Sequence, residues 1–183
     1  MDVSGVNGLA PDGKASAGLV RPRVSVICFG NALHGDDGFG VHVYRCLSQR
    51  PIAKEVMLVD AGTRGLSALG AFDDVDVAFV VDAVVAFSAV GRVHRLRIED
   101  IATQCAGFTN HATGAAAVLQ ALPLANAAMP KIVVIAAEVQ RNVRTWCLEL
   151  SDVVAQAVPV AVELIEAEIR AELSRAVRIS EAG

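Results

Sequence analysis

Residues 24–40, VSVICFGNALHGDDGFG, are the stretch from which the fold of the whole chain can be predicted. The first six, 24–29, are mostly apolar or β-branched and carry no charge, which is typical of a strand buried on both faces. Four glycines follow around the adjacent acids Asp36 and Asp37, and glycine permits sharp turns and close backbone approach. Apolar residues recur at helical spacing beyond Gly40. The stretch therefore predicts a strand, a tight loop and a helix.

Length and composition limit the class of protein. The chain has 183 residues, enough for one domain with a large core. Although 54% of the residues are hydrophobic, no uncharged apolar run reaches the roughly 18 residues that a membrane span needs. A net charge of −4 disfavours nucleic acid as a partner, because phosphate backbones bind basic surfaces. Four cysteines without C-x-x-C spacing, and the lack of a signal-peptide pattern, predict a cytoplasmic protein without a zinc site or disulfide framework.

Short apolar runs alternate with helical patterns along the rest of the chain. This alternation predicts an α/β fold, a three-layer sandwich in which a twisted, mostly parallel sheet has helices on both faces. The alternating pattern of residues 92–98 predicts an edge strand with one wetter face, which we expect to be antiparallel. A long helix should begin near Ser151, and Pro159 should kink or interrupt it. The predicted strands are residues 24–29, 56–60, 77–82, 92–98 and 132–137, all but 92–98 expected to be buried.

The periodic segments indicate one folded domain with two extensions. Residues 1–23 are rich in glycine, contain two prolines and predict a flexible N-terminal extension. Residues 24–175 hold all the periodic segments and should form a single α/β domain. For residues 176–183 we expect a frayed C-terminus.

Acidic residues follow three of the predicted strands. Asp60 and Asp82 end the second and third apolar runs, and Asp36 and Asp37 lie in the loop after the first. Because the carboxyl ends of parallel strands share one edge of a sheet, Asp37, Asp60 and Asp82 can converge there. Adjacent carboxylates at such an edge suggest a cation site. The alternatives are that one of the pair caps the following helix, and that Asp60 and Asp82 each begin a turn.

The positions of the histidines and of possible nucleophiles limit which kinds of catalytic chemistry the sequence supports. His111 precedes a helical pattern, where a histidine is either a solvated cap or a metal ligand. We expect His34 in the acidic loop, lining the site, His42 on the first helix and His94 on the edge strand. No G-x-S-x-G elbow, phosphate-binding loop or dinucleotide fingerprint occurs, and Cys28 lies inside a predicted buried strand, a poor place for a reactive thiolate. If the protein is an enzyme, acids and a metal carry its chemistry.

The acidic loop resembles the opening motif of the hydrogenase maturation endopeptidases. Residues 30–41, GNALHGDDGFGV, match the family pattern G-N-x-L-x-x-D-[DE]-G-x-G-[VI]. Residues 60–63, DAGT, match its D-x-G-T turn, and residues 81–83, VDA, match its D-A at the end of a strand. His111 matches the histidine ahead of a glycine-containing helix. These motifs occur in family order, and the resemblance covers about residues 24–173.

The resemblance implies a hydrolase, a nickel-dependent aspartyl-type endopeptidase. Such enzymes remove a C-terminal extension from the large-subunit precursor of a [NiFe] hydrogenase after nickel insertion. By resemblance, Asp37, Asp82 and His111 are the metal ligands and catalytic residues, and Asp36 forms the loop or supports the ligands. Two oxygen donors and an imidazole suit Ni²⁺, which the precursor would supply. We expect a monomer whose partner is that precursor, with no nucleotide cofactor and no nucleic-acid or membrane partner.

Two other functions would use the same residues. A non-catalytic metal-dependent checkpoint or chaperone would bind the nickel-loaded precursor and leave cleavage to another protein. A magnesium-dependent hydrolase of small molecules would also have acids at this edge. The histidine disfavours this second alternative, because Mg²⁺ prefers oxygen ligands and water.

Overall fold

The fold is a single mixed sheet with helices on both faces. The computed structural model describes residues 23–85, 88–98, 114–125, 128–140 and 146–181, with side chains described as far as Arg175. His111, Cys105 and almost all of the predicted N-terminal extension lie outside these residues. The predicted domain limits therefore stay predictions.

Five strands make up the sheet among the described residues: β1 Val24–Phe29, β2 Val56–Gly62, β3 Val77–Val84, β4 Val93–Arg97 and β5 Lys131–Glu138. Their order across the sheet is β2-β1-β3-β5-β4. The first four in that order run parallel, and β4 runs antiparallel to β5 at the edge. This confirms the predicted α/β fold and its antiparallel edge strand.

Helices cover both faces of this sheet, as the three-layer prediction requires. Helices α1 (Phe39–Ser48) and α3 (Asp152–Glu181) pack on one face. A 3₁₀ helix, Gly65–Phe72, and α2 (Ala115–Ala125) pack on the other. A second short 3₁₀ helix, Gly35–Gly38, leads directly into α1.

Side chains of β1 alternate between the two cores. Val26 and Cys28 pack beneath α1 and α3, whereas Ile27 and Phe29 face α2. All six residues of β1 are buried, because the strand lies between β2 and β3 with helices above and below. The strand-loop-helix prediction for this region is therefore confirmed.

Two expectations about individual elements need revision. The prediction that β2 is buried is wrong: among the described strands it pairs with β1 alone, and Met57 on it is 45% exposed. Its apolar composition gave no sign of its place at an edge. Helix α3 continues through Pro159 without a break and extends to Glu181, so a kink is the only expected effect of this proline that remains. Among the described helices, none combines the length and hydropathy needed to cross a bilayer.

Candidate active site at the carboxyl edge of the sheet

The loop after β1 turns back on the end of its own strand. Gly30 has a φ of +137°, and a side chain there would collide with the carbonyl oxygen of Asp37. The Asn31 N–H donates to that same carbonyl at 3.0 Å, and the Asn31 side-chain oxygen accepts from Leu33 N at 3.0 Å. Glycine is needed because the left-handed backbone and the close approach both exclude a Cβ. The loop is thereby closed, with Asp37 beside the carboxyl end of β1.

The side chain of Asp36 binds the start of α3. Ser151 N donates to Asp36 Oδ1 at 2.6 Å, and Ser151 Oγ donates to Oδ2 at 3.0 Å. Helix α1 has Gly38 as its N-cap and no side-chain cap, so the capping alternative for these acids is wrong for α1. Both oxygens of Asp36 are engaged in holding a distant part of the chain.

The carboxylate of Asp37 is different from that of its neighbour. Asp37 is half-buried, and within the described part of the chain no hydrogen bond or ion pair engages its side chain. Its charge contributes to raising the pKa of Asp82, so the two carboxylates lie within electrostatic range of each other. Asp37 is therefore an available acceptor within electrostatic range of a second acid.

Asp82 lies at the carboxyl end of β3, with only 8% of its surface exposed. Ala83 N donates to its Oδ1 at 2.8 Å, and Ala115 N, at the start of α2, donates to its Oδ2 at 3.2 Å. Burial raises the pKa of Asp82 from 3.8 to about 7; the two backbone N–H groups oppose this rise and Asp37 adds to it. Asp82 can therefore gain or lose a proton near neutral pH.

Asp60 lies at the same edge, at the end of β2. It is half-buried, and it is paired in register with Cys28 of β1. Burial raises the pKa of the Cys28 thiol far above its usual range, and the charges of Asp60 and Asp82 raise it further. The thiol stays protonated, which supports the interpretation of Cys28 as a core residue. Asp60 and Asp82 are thus both close to the end of β1, as their strand-end positions predict.

Residues 146–151, which we call the strap, lie against the acidic loop. This contact is not predicted from the sequence. Gly35 N donates to Cys147 O at 2.6 Å, and Cys147 N donates to Leu33 O at 2.9 Å, which forms an isolated parallel bridge. The strap ends at Ser151, the partner of Asp36. No local sequence pattern identifies this contact, because its two sides are more than a hundred residues apart in the chain.

The histidines occupy different parts of the structure. His34 lies in the loop, where its ring meets Trp146 of the strap edge-on, with centroids 6.0 Å apart. His42 lies on α1 and His94 on β4, as predicted. His111, the third predicted ligand, lies outside the described residues. Within those residues, no three His, Cys, Asp or Glu side chains are close enough to hold a metal ion.

A serine, a histidine and a glutamate also meet at the β4–β5 end of this edge. Ser88 Oγ is 2.9 Å from His94 Nε2, and Glu138 Oε2 is 3.9 Å from the same nitrogen. In a catalytic triad the serine and the acid bind opposite nitrogens of the imidazole. Glu138 also accepts a hydrogen bond from Ser88 N at 3.0 Å. The cluster therefore ties a turn to the sheet and does not have the geometry of a nucleophilic triad.

Comparisons with known proteins show which family this chain resembles. The HycI family, described as hydrogenase maturation protease, matches residues 41–168, a range that includes Asp82 and His111 and begins just after the acidic loop. The chain is 37% identical to the hydrogenase 2 maturation protease of Escherichia coli (strain K12) over 106 residues, 55% of this chain and 63% of that protein. The aligned part thus spans less than two thirds of that relative.

Two solved structures have the same fold. The hydrogenase maturating endopeptidase HybD from E. coli superimposes with a TM-score of 0.69 and 30% identity, covering 81% of this chain and 92% of that one. A hydrogenase 2 maturation peptidase from a Thaumarchaeota archaeon gives a TM-score of 0.59 and 29% identity, covering 80% and 97%. The chain is therefore similar in fold to these proteins over 80–81% of its length.

Proposed function

Because the chain belongs to the hydrogenase maturation protease family, we propose that it is an endopeptidase acting on the large-subunit precursor of a [NiFe] hydrogenase. It removes the C-terminal extension of that precursor once nickel has been inserted. The relatives named above are described as a hydrogenase maturation protease and a hydrogenase maturating endopeptidase. The residues proposed to bind nickel and to carry the cleavage are Asp37, Asp82 and His111.

The observation that carries the proposal is the pair formed by Asp37 and Asp82. One carboxylate has no hydrogen-bond partner among the described residues, and the other is buried with a pKa raised to about 7. Unpaired and buried acids are costly to a fold, and perturbed acids of this kind cluster at functional sites. A cation brought to the edge would relieve the repulsion between them.

Chain connectivity supports His111 as the third member. Ala115, whose N–H binds Asp82, follows His111 by four residues. This short separation along the sequence is what supports His111 as a partner of Asp82 in the proposed site.

Nickel enters this proposal as part of the substrate. Two carboxylates and an imidazole are donors that suit a borderline ion such as Ni²⁺, and so few protein donors make a weak site alone. When the precursor docks, its nickel can polarise the scissile carbonyl or a water. A nearby carboxylate can accept the proton that the attacking water loses. A precursor without nickel would lack this contact and be left uncut.

The test is cleavage of candidate precursors with and without nickel, followed by mass spectrometry. We expect a mass decrease in the nickel-loaded large subunit only, and free Ni²⁺ added to an empty precursor should not restore cleavage. Binding of the loaded precursor without a decrease in mass would instead support the checkpoint alternative. Cleavage of nickel-free precursor by an enzyme carrying its own tightly bound metal would contradict the proposed role of the substrate metal.

A matched control is available at the opposite edge of the sheet. Asp73 is exposed and lies between the 3₁₀ helix Gly65–Phe72 and the start of β3. Asp73→Asn should cleave like wild type, whereas Asp37→Asn should not, although each removes one negative charge. The monomeric state and the cytoplasmic location stay predictions, to be measured by size-exclusion chromatography and by fractionation.

A further inference from the structure

We propose that Asp36 is a positioning residue that holds Asp37 in place by clamping the acidic loop to the start of α3. The clamp is the pair of hydrogen bonds between Asp36 and Ser151, at 2.6 and 3.0 Å. This inference rests on the proposed function, because it concerns how a residue of that same site is held. It assigns the two neighbouring acids different tasks.

The clamp joins the loop to a rigid body. Helix α3 is anchored in the core on one face of the sheet through fully buried side chains, among them Val154, Ala161 and Ile165. Ser151 is the residue immediately before this helix, and its carbonyl accepts from Ala155 N at 2.8 Å. A group bound to Ser151 is therefore fixed relative to the sheet and to Asp82.

The side chain of Asp37 has no such anchor among the described residues. Its side chain engages no described residue, so its position follows from the backbone of the loop. That backbone is tied to the strap by Leu33 and Gly35, and to α3 by the side chain of Asp36. Asp36 is the residue next to Asp37, so loss of the clamp would release the loop beside the carboxylate that is proposed to act.

The opposing interpretation makes Asp36 a ligand or a base, and one substitution separates the two. In Asp36→Asn the amide oxygen still accepts from Ser151 N, and the amide nitrogen can donate to Ser151 Oγ, since a hydroxyl both donates and accepts. Both hydrogen bonds survive, but the negative charge is lost. Asp36→Ala removes both the bonds and the charge.

The experiment measures kcat and KM for cleavage of the nickel-loaded precursor. We expect Asp36→Ala to lower kcat about 100-fold, as displacement of a catalytic group by about 1 Å does, with KM changed less than about threefold. Asp36→Asn should retain kcat within about fivefold of wild type, in line with its preserved contacts. Ser151→Ala should lower kcat in wild type but have no further effect in the Asp36→Ala background, because residues that act through one contact are not additive.

A second readout does not depend on activity. Trp146 is the only tryptophan of the chain and contacts His34 of the loop, so its fluorescence reports the contact between strap and loop. Asp36→Ala should change this emission in the resting protein and Asp36→Asn should not, with circular dichroism showing that both variants are folded.

The outcomes separate the clamp from the proposed function. Equal loss of activity in Asp36→Asn and Asp36→Ala, unchanged activity in Asp36→Ala, or additive effects with Ser151→Ala would each overturn the clamp. If wild type cleaves no precursor, the proposed function fails. The fluorescence emission of Trp146 then becomes the only test of the clamp. A change in Asp36→Ala but not in Asp36→Asn then supports the clamp, and any other pattern overturns it.

Discussion

The acidic loop and the end of β3 bring carboxylates to the same edge by opposite means. In the loop, Asp37 is half-buried and unpaired among the described residues, and its surroundings are held by side-chain and strap contacts. At the end of β3, Asp82 is almost fully buried and bound by two backbone N–H groups, from Ala83 and Ala115. One acid is placed by a clamp and the other by the sheet itself.

This difference indicates where each property of the site originates. A carboxylate fixed by the sheet has a precise position, but burial disfavours its charged form. Its protonation state therefore depends on pH and on whether a ligand is bound. A carboxylate on a clamped loop has oxygens that no other described residue binds, but its position depends on contacts made elsewhere. The two acids should therefore respond differently to substitution, pH and changes in α3.

The largest expected effect comes from removing either acid. Asp37→Ala and Asp82→Ala should each reduce cleavage of the nickel-loaded precursor by about 10³-fold or more, as expected when a group acting in the transition state is lost. Thermal unfolding should distinguish them: Asp37→Ala leaves stability almost unchanged, because it breaks no hydrogen bond, whereas Asp82→Ala shifts it measurably. If Asp37→Ala destabilises the fold as much as Asp82→Ala does, the distinction between the two regions is wrong.

The next effect is the contribution of Asp82 to the pH dependence of stability. Its pKa is raised from 3.8 to about 7 in the folded protein, so between these values the native state holds a proton that the unfolded chain has lost. Stability must then fall as pH rises through this window. From urea unfolding at pH 4 to 8, we expect the free energy of unfolding of wild type minus that of Asp82→Asn to fall by about 1–4 kcal/mol.

The same pH experiment has a control in the loop. Asp37→Asn should retain most of this dependence of stability on pH. Burial is the main cause of the raised pKa of Asp82, and the charge of Asp37 makes the smallest contribution to that pKa. A flat difference between wild type and Asp82→Asn would show that Asp82 is ionised throughout. Precursor binding should weaken as pH falls through the same window, since protonated ligands cannot coordinate.

A smaller effect tests whether the whole of α3, or only its start, supports the loop. Arg95 of β4 binds Glu168 of α3 through two hydrogen bonds, from Nε at 2.6 Å and from Nη2 at 3.0 Å. Both side chains are partly exposed, so Arg95→Ala should cost only about 1 kcal/mol of unfolding free energy or less. Cleavage should be unchanged. A large loss of activity would mean that the loop senses the docking of the entire helix.

The smallest expected effect is at Cys147 in the strap. This residue binds the loop through its backbone N–H and carbonyl, while its Sγ contacts only Glu149 O at 3.3 Å among the described residues. Cys147→Ala should therefore cleave within about twofold of wild type, as surface substitutions usually do. A folded Cys147→Ala variant without activity would point to a thiol nucleophile and against chemistry carried by the acids.

Sequence reasoning predicted the sheet well because its signals are local. The run from Val24 to Phe29 and the glycines after it define β1, the loop and α1, and the alternation of residues 92–98 identified the edge strand β4. The place of β2 at the other edge was missed, since an apolar run does not reveal how many neighbours a strand has. Strand-end acids were correctly expected at one edge, because parallel strands share that edge.

The division of labour between Asp36 and Asp37 could not be obtained from the residues alone. Both acids fit a helix cap, a cation site or a loop equally well, and the partner that separates them, Ser151, follows more than a hundred residues later. Ser151 is predicted to begin a helix, and it does precede α3, but its hydroxyl donates a hydrogen bond to Asp36. Local patterns predict elements, whereas side-chain pairs between distant elements depend on the packing of the whole domain.

The 115-residue separation between Asp36 and Ser151 has a consequence for biosynthesis. The acidic loop leaves the ribosome more than a hundred residues before the segment that completes it. Contacts between segments so far apart carry a large loop-closure cost and form late in folding. A nascent or truncated chain ending before the strap would contain both acids but lack the clamp, so the capacity to cut should appear only after the strap and the start of α3 have been made.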